Sequence, residues 1–212
     1  SLCGKMEGVN PDAVSVEEYI DGTPAWRTEL YAQCGTLMSH QDSIELFASH
    51  QLKMIPELKE PEVVMPFNGY TQQQYAQQLV DEYRSAGIPP QQVFLQSFNW
   101  QDILYWLEHE PEFGRKAVFL DGRYTEPGFS PQQSSSWKPA MAELKAAGLN
   151  IIAPPLWMLV TEENGQIVPS VYAYAAKEAG LEIMAWSLER SGPLHNGGGW
   201  YYQSVAQLTS DD

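Results

Sequence analysis

A chain of 212 residues with 43% hydrophobic content is long enough to bury a sizeable core as one domain or a large piece of one, which excludes a disordered segment. Its 12 Lys and Arg against 27 Asp and Glu leave a formal net charge of -15, which excludes sequence-independent binding to a nucleic-acid backbone, since that needs clustered cations. No apolar run is long enough to span a bilayer, and two cysteines, Cys3 and Cys34, are too few for a disulfide framework and show no metal-ligand spacing.

The first 35 residues are punctuated by Gly4, Gly8, Pro11, Gly22 and Pro24 and predict a loop-rich insertion with room for one short helix near 16–20. From residue 36 the texture changes to repeating βα units that continue to residue 212. Strand-sized apolar runs fall at 53–58, 93–98, 117–120, 150–153 and 181–187. Between them, 71–86 begins at a capping Thr71, carries Tyr75, Leu79, Val80 and Tyr83 on one side and stops at Gly87, which predicts a helix. Trp100, Ile103, Leu104 and Leu107 repeat at i, i+3, i+4 and i+7, and Trp137, Met141 and Leu144 at i, i+4 and i+7, so two more helices are expected. Gly148 and Gly180 each precede a strand-like run, the helix, glycine, strand order of an αβ unit.

This rhythm predicts the α/β class with a parallel sheet. It does not separate a (β/α) barrel from an open doubly wound sheet, although no Gly-x-Gly-x-x-Gly fingerprint follows any strand. In either arrangement, functional groups collect where parallel strands end. The first run ends in Glu57, Leu58 and Lys59, and period-2 alternation puts Glu57 and Lys59 on one face with Leu58 on the other. A carboxylate beside a lysine at such a mouth suits a hard cation and a phosphate oxygen together, and supplies the local cation that an acidic protein needs to hold an anion. The same pair at any exposed strand end is equally a solvated ion pair. His40, His50, His109 and His195 have no metal-ligand spacing, and no Gly-x-Ser-x-Gly elbow is present. His195–Trp200 and the cluster Trp200, Tyr201 and Tyr202 are compatible with a loop over a cleft or with a surface turn.

Taken in order, five segments resemble the glycerophosphodiester phosphodiesterase family: Gly35-Thr36-Leu37-Met38-Ser39-His40 with Ser43-Ile44, Pro56-Glu57-Leu58-Lys59, Gln96-Ser97-Phe98, Ile151-Ile152-Ala153-Pro154-Pro155, and Ala185-Trp186-Ser187-Leu188-Glu189-Arg190. The long stretches at 104–114 and 191–205 look most like its secreted or periplasmic branch. The resemblance implies a TIM-type barrel, here partial with about five of eight strands, that hydrolyses glycerophosphodiesters to sn-glycerol 3-phosphate and an alcohol with Ca2+ or Mg2+. Residue by residue, it implies that Glu57 is a metal ligand and that Lys59 is the catalytic residue neutralising charge on the phosphate. Phe98 and Trp186 are implied to line the substrate-binding side of the cleft. The family's His-Arg-Gly, Glu-x-Asp and second histidine have no counterpart in this sequence, and His40 matches a helix-entry position instead. These 212 residues alone are therefore expected to be inactive, and a half barrel with open edges is expected to be poorly soluble or to associate. The expected partner is a small-molecule glycerophosphodiester, with no nucleic acid and no membrane span. Two other readings stay open: a glycoside hydrolase on the same barrel using Glu57 and Glu189 with Trp stacking, and a non-catalytic binding relative.

Overall fold

The computed structural model describes residues 38–187, 194 and 198–210. The loop-rich start, both cysteines, Glu189, Arg190 and His195 lie outside the described residues.

Two capping boxes open the first two helices of the described residues. Ser39 Oγ accepts from the Asp42 amide at 3.1 Å while Asp42 Oδ2 accepts from the Ser39 amide at 3.0 Å, starting α1 (His40–Ser49). Thr71 and Gln74 exchange the same two bonds at 3.1 and 2.8 Å to start α2 (Gln72–Ser85). Then follow β1 (Gln96–Ser97), α3 (Trp100–His109), the single turn α4 (Pro111–Gly114) and β2 (Val118–Leu120). The chain continues with α5 (Met141–Ala146), β3 (Ile151–Ala153) and α6 (Leu156–Leu159). A hairpin of β4 (Val160–Glu163) and β5 (Gln166–Pro169) leads to α7 (Val171–Glu178), β6 (Glu182–Ile183) and a kinked 3-10 segment Gly198–Leu208. Gly148 and Gly180 end α5 and α7 with φ of 102° and 78°, a left-handed backbone that a side chain would strain.

β1, β2, β3 and β6 form one parallel sheet in chain order. The segment 53–58 extends it beyond β1. Met54 N donates to Gln92 O at 2.8 Å, Gln96 N to Pro56 O at 2.9 Å and Leu58 N to Gln96 O at 2.8 Å, with Glu57 opposite Gln96. The sequence therefore identifies five parallel segments correctly, although the ladders are shorter than the apolar runs.

Alternation along these strands divides the apolar residues between two faces. Val93, Leu95, Phe119, Ile152 and Leu181 pack with Leu79, Val80, Ile103, Trp106, Leu144, Tyr172 and Ala176, so every long crossover helix lies on one side of the sheet. Val118, Leu120, Ile151 and Ala153 form a separate cluster with Phe94, Met184 and Trp186, to which no helix among the described residues contributes. Trp106, Leu144 and Tyr172 are fully buried, each contributing about 1.5–3 kcal/mol by leaving water.

Two local expectations need correction. Trp137 is not in the helix that follows: Pro139 has no amide to donate, Lys138 and Pro139 form a bend, and α5 starts only at Met141. Trp137 is nonetheless buried, edge-on to Tyr172 at 5.3 Å. The β4–β5 hairpin departs from the expected βα rhythm. Its turn is Asn164-Gly165 with φ of 54° and 76°, the two positive values that an Asn-Gly turn supplies between strand formers.

Candidate functional site

The C-terminal ends of the parallel strands form one rim. At its first strand, Lys59 Nζ lies 3.0 Å from Glu57 Oε1, with the lysine side chain 78% and the glutamate 25% exposed. Leu58 between them is buried in the helix-side core, so the alternation predicted for these residues is present. Glu57 is level with Gln96 across the first pair of strands, and Phe98 lies two residues further along the second.

Phe98 and Trp186 meet across the sheet, ring centroids 5.8 Å apart and nearly perpendicular. Gly122 makes this contact possible, because a Cβ there would sit 3.0 Å from Phe98 Cδ1. Trp186 is oriented by its indole N–H, which donates to Ala153 O at 2.8 Å. Further rings join it. Trp200 stacks on Trp186 at 5.8 Å, Tyr124 packs against Trp200 and Trp157 at 5.6 and 5.7 Å, and Tyr201 abuts Trp200 at 4.9 Å. Burial first, and then the neighbouring Tyr201 phenol and Asp121 carboxylate, raise the Tyr124 phenol above its ordinary range, so it remains a neutral donor. Trp200 belongs to the aromatic run singled out in the sequence. Trp157 stands in the stretch that follows the fourth apolar run, while Tyr124 is isolated in the sequence and joins the wall only through the fold.

A cleft of about 550 Å3 opens beside this wall, lined by Glu60, Phe98, Trp100, Tyr124 and Lys138 among others. Beneath its edge two buried networks hold the strand ends. Asp121 receives Arg123 Nε at 2.8 Å and Arg123 Nη2 at 2.6 Å, and also accepts from the Tyr172 hydroxyl. Burial works to lower the Arg123 pKa, but the hydrogen bonds and charge of Asp121 outweigh it and raise it; the Tyr172 phenol is pushed well above its ordinary range, first by burial and then by Asp121. Ser97 Oγ and Gln72 Nε2 each donate to Asp102 at 2.8 Å, yet burial still raises that carboxyl.

His40 lines a pocket of about 290 Å3 that Glu57 also lines. Both imidazole nitrogens are engaged: Nδ1 is 2.5 Å from Glu82 Oε2 and Nε2 is 3.2 Å from Tyr83 Oη. Burial and the adjacent Glu82 push the Tyr83 phenol up to about 12. His50 and His109 are exposed. Among the described residues no three His, Cys, Asp or Glu side chains gather into a cation site, and Glu57 has Lys59 at its carboxylate. The described residues therefore do not by themselves fit Ca2+ or Mg2+, which take six or more oxygens. Lys59 can neutralise an anion, and the aromatic wall can cover an apolar or cationic group beside it.

No helix among the described residues is long and apolar enough to cross a membrane. No family model matches the sequence. The chain is 48% identical over 213 residues to a protein of Arthroderma benhamiae named "Extracellular protein", an alignment spanning 98% of this chain and 85% of that protein. Identity of that extent over nearly the whole chain leaves no room for a different fold in the two proteins, and the chain belongs to the family of this extracellular protein.

Proposed function

We propose that the protein is a phosphodiester hydrolase of the glycerophosphodiester phosphodiesterase type, built on a (β/α) barrel of which the described sheet is one part of the wall. The carrying observation is the coincidence of Glu57 and Lys59, 3.0 Å apart, with the Phe98–Trp186 contact on one rim of the sheet. Barrel curvature is supported by strands that follow one another in chain order with the long helices, among the described residues, all on one face, since an open doubly wound sheet would carry helices on both.

In this reading Lys59 neutralises the non-bridging oxygens of the phosphate, while Phe98 and Trp186 cover the glycerol and leaving-alcohol side. The resemblance assigns the reaction to the Ca2+- or Mg2+-dependent class, with Glu57 as one ligand; groups that move protons and complete a cation site are not among the described residues. Extracellular location is part of the same proposal, supported by the name of the Arthroderma benhamiae relative.

The test is release of sn-glycerol 3-phosphate from glycerophosphocholine by the protein in its full natural length, with Ca2+ or Mg2+ added. Metal-dependent release that Lys59→Met removes supports the reading; an inert wild type, or full activity in that variant, overturns it. A glycoside hydrolase is the second reading, favoured by the five-ring wall of Tyr124, Trp157, Trp186, Trp200 and Tyr201, which suits sugar stacking. Hydrolysis of an oligosaccharide that survives EDTA would select it instead.

A further inference from the structure

The loop 60–70, between the first parallel segment and α2, presents apolar side chains outward where a connecting loop ordinarily presents polar ones. Val64 is 89% exposed, Phe67 50%, Val63 45% and Tyr70 36%. The loop is held at its base. Phe67 and Tyr70 exchange backbone hydrogen bonds at 2.9 and 2.8 Å, the Tyr70 hydroxyl donates to Gln78 Oε1 at 2.5 Å, and Thr71 immediately caps α2. The exposed residues are therefore carried by a fixed support. The loop also adjoins the cleft: its groove, lined by Glu60, Glu62, Val63, Val64 and Met65, shares Glu60 and Asn99 with the cleft beside Phe98.

We propose that this loop seats the protein on a zwitterionic lipid surface, with Val63, Val64 and Phe67 entering the interface and the cleft facing the headgroups. Charge selects the surface. No Lys or Arg occurs between Lys59 and Arg84, whereas Glu60 and Glu62 lead into the apolar tip, so the loop repels an anionic bilayer and its carboxylates suit the cationic end of a zwitterionic headgroup. Size selects lipid over protein. Four side chains in one loop fall far short of the roughly 800 Å2 that each partner of a stable protein pair contributes, whereas a few apolar residues entering a bilayer give the reversible adhesion of a peripheral protein. This docking goes beyond the proposed hydrolysis and needs no turnover to be seen.

The experiment is flotation of the whole chain with phosphatidylcholine vesicles, run in parallel with vesicles containing phosphatidylserine. Binding to neutral vesicles is expected, weaker on anionic ones, and at least about tenfold weaker in the double variant Val64→Ser, Phe67→Ser. If that variant does not fold, Val64→Ser alone serves, since this side chain is the least packed. Ile167→Ser with Tyr174→Ser, exposed apolar positions on the hairpin side and 51% and 64% accessible, should bind like wild type. Failure of wild type to float with neutral vesicles, a requirement for anionic lipid, or equal loss in the hairpin variant overturns the proposal. So does a dimer on size-exclusion chromatography that the double variant dissociates, which would make a second copy the occupant.

Discussion

Two parallel strands end in the same three-residue pattern, a carboxylate and a cation separated by one residue: Glu57-Leu58-Lys59 and Asp121-Gly122-Arg123. Their fates are opposite. Asp121 has the strand parity of Phe119, whose side chain points into the helix-covered core, and both it and Arg123 are buried and hydrogen-bonded. Glu57 has the opposite parity and pairs with a lysine that stays largely in water. The difference teaches that the spacing only guarantees that the two charges meet. The face on which they meet determines whether the pair holds the fold or is free to meet a ligand.

Removing one charge from the buried pair has the largest expected effect. Asp121→Asn leaves the Arg123 guanidinium uncompensated among Phe119, Phe129 and Pro139, and should lower unfolding free energy by about 3–5 kcal/mol in a denaturant titration. A change below about 1 kcal/mol would mean that the pair is solvated in solution. The corresponding change on the exposed pair, Lys59→Met, should leave the denaturation midpoint nearly unmoved while lowering phosphodiester turnover roughly 100- to 1000-fold in the full-length protein. Equal losses of stability in both variants would erase the distinction between the two faces.

Tyr172→Phe probes the buried network more gently. It removes one hydroxyl from Asp121 without removing the ring that packs on Trp137, and should cost about 1.5–3 kcal/mol by thermal or chemical unfolding. The smallest effect is expected in the pH dependence of Asp102. Burial raises this carboxyl despite the hydrogen bonds from Gln72 and Ser97, so the folded state holds the proton more tightly than the unfolded chain does. Its contribution to stability is complete below the unfolded pKa and is lost as pH rises through the raised folded value. Asp102→Asn should remove that decline from a stability profile measured across the acid range, and an unchanged profile would show that Asp102 titrates normally.

Much of this was legible in the chain. Thr71 and Gln74 mark the start of α2, Gly148 and Gly180 end helices just before strands, and each of the five apolar runs contains a parallel segment, because capping, left-handed turns and side-chain period are local properties. The alternation of Glu57, Leu58 and Lys59 was readable for the same reason. The Asn164-Gly165 hairpin carried an equally local signal that the βα rhythm masked. Pro139 likewise interrupts a spacing that otherwise reads as helix from Trp137.

The sequence by itself therefore determined the α/β class, the placement of the parallel segments and the Glu57–Lys59 pair at the end of the first. Only the tertiary structure decided that Tyr124, Trp157, Trp186 and Trp200 share one wall, and that Tyr172 reaches Asp121 from 51 residues away. Such contacts depend on strand register and on the side of the sheet to which each helix returns, and both are settled by packing the whole core rather than by any neighbouring residue. The same packing buries Asp121 and Arg123 while leaving Lys59 in water, so two patterns alike on paper carry different work in the molecule.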